Sequence, residues 1–165
     1  MSMTISQSML PEFDHEMANT RKTLERVPED RVSYTPHKKS MTMGRLAAHT
    51  AQIPVWCTIA LTLDEFNLTP EFAAVEMTTR GKLLETFDRN WAEARTHLVN
   101  ADDASMMKPW TFKKGGHTVL SMPKVAVLRT FMMNHLIHHR AQLGVYLRLN
   151  DVPVPGLYGP SADEM

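Results

Sequence analysis

The sequence has a single cysteine, Cys57, among its 165 residues. No intrachain disulfide can form, and a reducing cytoplasm is the expected compartment. Neither sign of charge is in excess, since 18 Lys and Arg balance 18 Asp and Glu. With no basic surplus and no polybasic block, neither nucleic acid nor an anionic membrane is an expected partner. No apolar run is long enough to span a bilayer. Met1-Ser2-Met3-Thr4 lacks the basic and apolar regions of a signal peptide, so no leader is expected. The seven glycines are scattered and form neither a Walker loop nor a dinucleotide fingerprint.

What remains is an ordinary globular composition. Apolar residues make up 43% and charged residues 22%, enough for a real core. The length suits one domain over residues 1–165. Thirteen methionines read as adaptable core filling.

Hydrophobic periodicity predicts four long helices. The first runs from about Ile5 to Val27, with Leu10, Phe13, Met17, Leu24 and Val27 at helical spacings. The second runs from about Thr42 to Phe66, capped by Ser40 or Thr42. Its stripe is Thr42, Leu46, His49, Ile53, Trp56, Ala60 and Leu63, and Pro54 inside it predicts a kink. The third runs from about Thr78 to Ala101 on Leu84, Phe87, Trp91, Ala94 and Leu98. The stretch from Met107 to Leu120 has β-formers around Gly115-Gly116 and reads as a short hairpin or ordered loop. The fourth helix is expected from about Ser121, as N-cap, to Asn150. Its stripe is Val125, Leu128, Met132, His135, His139, Gln142, Tyr146 and Leu149. The Pro- and Gly-rich tail beyond it is expected to pack as an extended arm. The fold class read from this is all-α, a four-helix bundle with a hairpin or loop between helices three and four.

Leu136, Leu143 and Leu147 form a second apolar strip on the fourth helix. One bundle cannot easily hide both strips, so a homodimer is expected.

Chemistry concentrates on histidine. His135 and His139 are one turn apart and share a helix face. They fall in a stripe that reads as core, where an unpaired imidazole is costly. His49 holds the equivalent position on the second helix. Three inward imidazoles can bind a divalent metal and leave a position open, the pattern of a catalytic zinc site. A lone inward histidine is ordinarily a hydrogen-bonded core residue, and it is the agreement of two stripes that singles out these three. His138 points about 100° away around the helix. His15, His37, His97 and His117 have no such support. Leu136 stands where the zinc-protease motif requires Glu. The diiron pattern, a Glu-x-x-His pair from each of two helices, is not met. Cys57, beside Trp56 in an apolar run, reads as an inert buried thiol. Gln142, Arg140 and Tyr146 flank the histidines. They can orient a ligand, bind an anion or donate a hydrogen bond, while packing and surface pairing are their ordinary roles.

The run Asn134-His135-Leu136-Ile137-His138-His139-Arg140-Ala141-Gln142-Leu143 resembles the C-terminal signature of the DinB/YfiT-like superfamily. Leu46-Ala47-Ala48-His49, followed by Ile53-Pro54-Val55-Trp56, is similar to its second-helix signature, and Ala141 stands where glycine is common. The resemblance implies an up-down bundle with an unusual connection order, often dimeric. It implies nickel or zinc on His49, His135 and His139. Characterised relatives include S-transferases and isomerases that use bacillithiol, mycothiol or glutathione. A metal-dependent thiol S-transferase with a low-molecular-weight thiol as co-substrate is therefore the expected function. The alternatives are a metal-dependent hydrolase, a non-catalytic metal-binding stress-response protein, or an interaction protein whose histidines form a metal-free network. The catalytic residues and the substrate are not readable from the sequence.

Overall fold

Thr4 starts the first helix. Its hydroxyl accepts from the Gln7 amide at 3.2 Å, and the Gln7 side chain accepts from the Thr4 amide at 2.9 Å. This reciprocal cap satisfies two otherwise unpaired donors. The computed structural model describes residues 2–72 and 79–165. Helix α1 spans Ile5–Leu24 and buries Met9, Phe13, Met17 and Leu24. The Thr42 hydroxyl accepts from the Arg45 amide and caps α2, Met43–Gln52. Pro54 lacks the amide a continuous helix would use, and the chain restarts as α3, Val55–Thr62. Thr79 caps α4, Arg80–Asn100; the expected start at Thr78 lies outside the described residues. Helix α4 packs against α1, α2 and α3.

The all-α expectation is wrong, because a three-stranded sheet is built into the fold. Strand β1, Glu65–Leu68, lies parallel to β2, Pro109–Lys114, which pairs antiparallel with β3, His117–Pro123. The short helix α5, Asp103–Met106, precedes β2. The architecture is thus mixed α/β. The expected hairpin is present: Gly115 and Gly116, at φ 57° and 81°, supply the positive dihedrals of a tight two-residue turn. What overturns the helical reading is β1. Phe66 was expected at the end of a helix, but Phe66 and Leu68 alternate inward from a strand whose backbone bonds to β2. The inner face of the sheet is aromatic. Trp56 of α3 meets Phe66, Phe72, Phe112 and Phe131 at centroid distances between 5.1 and 5.7 Å.

Ser121 is not a helix cap. It lies in β3 opposite Thr111, and the last helical arm begins at Lys124. That arm is α6, Lys124–Val127, then a π-helical stretch, Leu128–Met133, then α7, Asn134–Arg148. The wider π turn delays the return of the core face. After Met132 the core resumes at Leu136 and continues through Arg140, Leu143 and Leu147, all at 1% exposure or less. The strip expected to lie off the seam is therefore the buried one, and it no longer argues for a homodimer. His135 and His139 are only half-buried, on the neighbouring face.

Arg140 enters this core because a carboxylate waits for it. Its guanidinium lies 2.7 Å from Glu16 of α1 and also donates to the Glu16 carbonyl and the Thr20 hydroxyl. Tyr158, from the tail, accepts from Arg140 and donates to Glu16. The tail does run as an extended arm after Arg148, with Val152 and Val154 packed on the core. Its largely exposed tyrosine bonds to the buried Glu16–Arg140 pair and so ties the tail to α1 and α7.

Candidate metal centre

Helix α2 presents His49 and helix α7 presents His135 and His139. Their ring centroids are 5.0, 4.7 and 4.7 Å apart for the pairs 49–135, 49–139 and 135–139. One ring nitrogen from each lies within 4.8 Å of the other two. The Nε2 atoms of His49 and His135 are 3.2 Å apart. Two imidazole nitrogens on a tetrahedral zinc with bonds of about 2.0–2.1 Å sit roughly 3.3 Å from each other. The donor set and its spacing therefore fit a divalent metal. Among the described residues no cysteine or carboxylate joins the three.

The outward nitrogens differ. The Nδ1 of His139 meets the Gln142 side-chain oxygen at 2.7 Å. With a hydrogen on Nδ1, its Nε2 is left as a free acceptor turned to the cluster. Gln142, three residues on along α7, thus fixes that ring. The Nδ1 of His135 is buried without a hydrogen bond, although the Phe131 carbonyl lies near enough to raise the imidazole's pKa slightly. Replacing Gln142 with Leu is expected to lower metal affinity by about 10–100-fold, as loss of an outer partner to a ligating histidine commonly does. Competition against a chromophoric chelator measures it.

Burial, reinforced by the neighbouring histidines, pushes His49 and His135 down from 6.5 to about 4. Arg45 adds to the depression at His49. Burial also lowers His139. Neutral imidazole is the form that binds metal, so these shifts keep the ligands ready near neutral pH. They also set a stability profile. The unfolded chain takes up protons near pH 6.5, whereas the folded chain resists them down to about pH 4. The metal-free protein is therefore expected to lose stability as pH falls from 6.5 to 4, with no further loss from these groups below that. Thermal melts across the window check this, and a flat melting temperature would contradict it.

The other expected placements sort cleanly. His138 is exposed, its ring edge-on to His139 at 4.9 Å. His15 contacts Asn19, and His37 and His117 are exposed. Cys57 is fully buried, and burial drives its thiol up to about 12, which rules out a ready nucleophile. Tyr146 packs edge-on against Tyr34 and donates to the Met41 carbonyl, a structural role. Arg140 is neither at the surface nor in the site, because Glu16 holds it in the core.

A cavity of about 630 Å³ opens beside His49. Its walls come from α2 and α3 (Arg45, Gln52, Ile53, Trp56), the end of β1 and the turn after it (Leu68, Pro70, Phe72), and the hairpin tip (Lys114). Arg45 was passed over in the sequence, although its place four residues before His49 is the signal that could have found it. Lys114 was not legible there, because only the sheet brings the hairpin here.

The model of the DinB family matches residues 1–165. The uncharacterized protein YrdA of Bacillus subtilis (strain 168) is 25% identical over 163 residues, covering 94% of this chain and 89% of that one. A DinB-like protein from Bacillus cereus ATCC 10987 superposes with a TM-score of 0.72 at 23% identity, over 96% of this chain and all of that one. A DinB-like protein (YjoA) from Bacillus subtilis gives 0.68 at 18% identity, over 96% and 99%. These two solved structures share the fold. No described helix is long and apolar enough to cross a membrane.

Proposed function

The chain belongs to the DinB family, and on that premise we propose that it is a metal-dependent enzyme acting on small molecules in the cytoplasm. His49, His135 and His139 hold a zinc or nickel ion. The observation that carries this is the convergence of three neutral imidazoles, with two Nε2 atoms 3.2 Å apart, one of the three, His49, also lining a cavity. A purely structural zinc site uses four protein ligands. Three ligands beside a space of this size favour catalysis over a role in stability alone.

The activity we favour is thiol S-transfer, with a low-molecular-weight thiol as co-substrate. When bound, the metal supplies a positive centre that favours the thiolate, the nucleophilic form of the thiol. The chain's own residues do the rest. His139 is oriented by Gln142. Trp56, Ile53 and Phe72 are apolar parts of the cavity wall, against which an apolar substrate would exclude water. Cys57, neutral and buried, takes no part. The same site suits activation of water, so a hydrolase is the runner-up.

A screen of metal-loaded protein against bacillithiol, mycothiol and glutathione, each with a panel of electrophiles, tests this. Turnover that needs thiol and metal and is lost in His49→Ala supports S-transfer. Thiol-independent ester hydrolysis moves the assignment to the runner-up. No turnover with either leaves the non-catalytic reading.

A further inference from the structure

Among the described residues, the cavity beside His49 has a one-sided charge. Among its described lining residues the ionisable side chains other than His49 are Arg45 and Lys114, both cationic. Elsewhere, among the described residues, half of the other Lys and Arg side chains meet a carboxylate and half do not, so it is position in the cavity wall that sets Arg45 and Lys114 apart. Arg21, Arg95, Lys113, Lys124, Arg129, Arg140 and Arg148 each meet a carboxylate. Arg45 and Lys114 meet none among the described residues, although Lys113, next in sequence, is bridged to Glu65. The rest of the wall is mainly apolar: Met41, Ile53, Trp56, Leu68, Pro70 and Phe72.

Position ties this charge to the metal centre. Arg45 and His49 are one turn apart on α2 and share a face. Lys114 comes from the sheet, at the end of β2 where the Gly115-Gly116 turn begins, and lines the same cavity. About 630 Å³ is within the range of small-molecule sites, where a few polar groups fix the orientation of an apolar ligand.

We propose that this cavity takes a small molecule with an apolar body and an anionic head, the body against Trp56, Ile53 and Phe72 and the head held by Arg45 and Lys114. A guanidinium fork suits carboxylate and phosphate alike. As a statement of substrate class this rests on the reading of the three histidines as a catalytic metal centre. The binding itself does not need the metal. The Arg45 end of the anion site would lie one helical turn from His49.

Isothermal titration with 4-phenylbutyrate, 4-phenylbutyl phosphate and the neutral 4-phenylbutyramide tests the proposal on metal-loaded and metal-free protein. At least one anion is expected to bind about tenfold or more tighter than the amide, the size of one charge-assisted hydrogen bond. Which anion binds tighter identifies the head group. Arg45→Met and Lys114→Met are each expected to narrow that gap and leave the amide unchanged. The proposal is overturned if the amide binds as well as both anions, if none of the three binds, or if neither variant narrows the gap. Selectivity that appears only with metal and ignores both variants puts the anion on the metal and also overturns it. Selectivity that survives metal removal supports the pocket even if the histidines prove to hold no metal, so the two readings fail separately. The wild-type comparison needs no variant to fold.

Discussion

His135→Ala is expected to weaken Zn²⁺ or Ni²⁺ binding by more than about 100-fold, beyond the ~10–100-fold typical of losing an outer partner. The His135 Nε2 lies 3.2 Å from that of His49, and the His135 ring lies 4.7 Å from that of His139. Removing it leaves two imidazoles and no described carboxylate or thiol to replace it. His138 is exposed and is not among the residues whose ring nitrogens converge. His138→Ala is therefore the matched control and should bind metal as the wild type does. Competition with a chelator reads both. Equal affinity in His135→Ala and the wild type would remove His135 from the ligand set.

The second large effect lies in the core. Glu16→Ala is expected to destabilise the fold by about 3–5 kcal/mol, because it leaves the Arg140 charge buried and uncompensated. Arg140 is 1% and Glu16 5% exposed, so water cannot take over as partner. For a chain of this size the melting temperature should fall by roughly 6–20 °C. Arg140→Met should act alike in reverse, stranding the carboxylate. The double variant Glu16→Leu with Arg140→Met should recover much of the loss, since an apolar pair of similar volume removes both charges. Thermal denaturation of the three variants decides the matter. If Glu16→Ala melts within a degree or two of the wild type, the Arg140 charge is not held in the core by Glu16. The Tyr158 hydroxyl bonds to both partners, so either change should also loosen the tail.

The histidine cluster was legible because its signal is local. An i, i+4 pair must share a face, and His49 kept the phase of its own helix through Leu46 and Ile53. The face itself was misjudged. A step of three from Met132 puts His135 in the core, but the π turn at Leu128–Met133 spaces the buried pairs Val127/Met132 and Leu128/Met133 by five, and the core then runs on to Leu136. No residue type in Leu-Arg-Thr-Phe-Met-Met announces such a turn. The outcome suits the chemistry, since half-buried imidazoles can meet both an ion and a substrate.

The break at Pro54 could be read directly, because a missing amide has one meaning in a helix. The strand β1 could not. Four residues, Glu65–Leu68, alternate too briefly to separate from a helix end, and their partner lies more than forty residues away, at Thr111–Lys114. The same distance problem hid the Glu16–Arg140 pair, which links α1 to α7. A buried arginine among surface-like charges carries no mark in a single sequence. Local geometry was therefore readable, and partnerships between distant segments were not.

X-ray absorption on the metal-reconstituted protein tests the three-histidine assignment most directly. The account predicts one ion per chain with scattering from three imidazoles at about 2.0–2.1 Å for zinc and no sulfur. One or two imidazoles, or a metal–sulfur distance that would require Cys57 to leave its buried site, would contradict it.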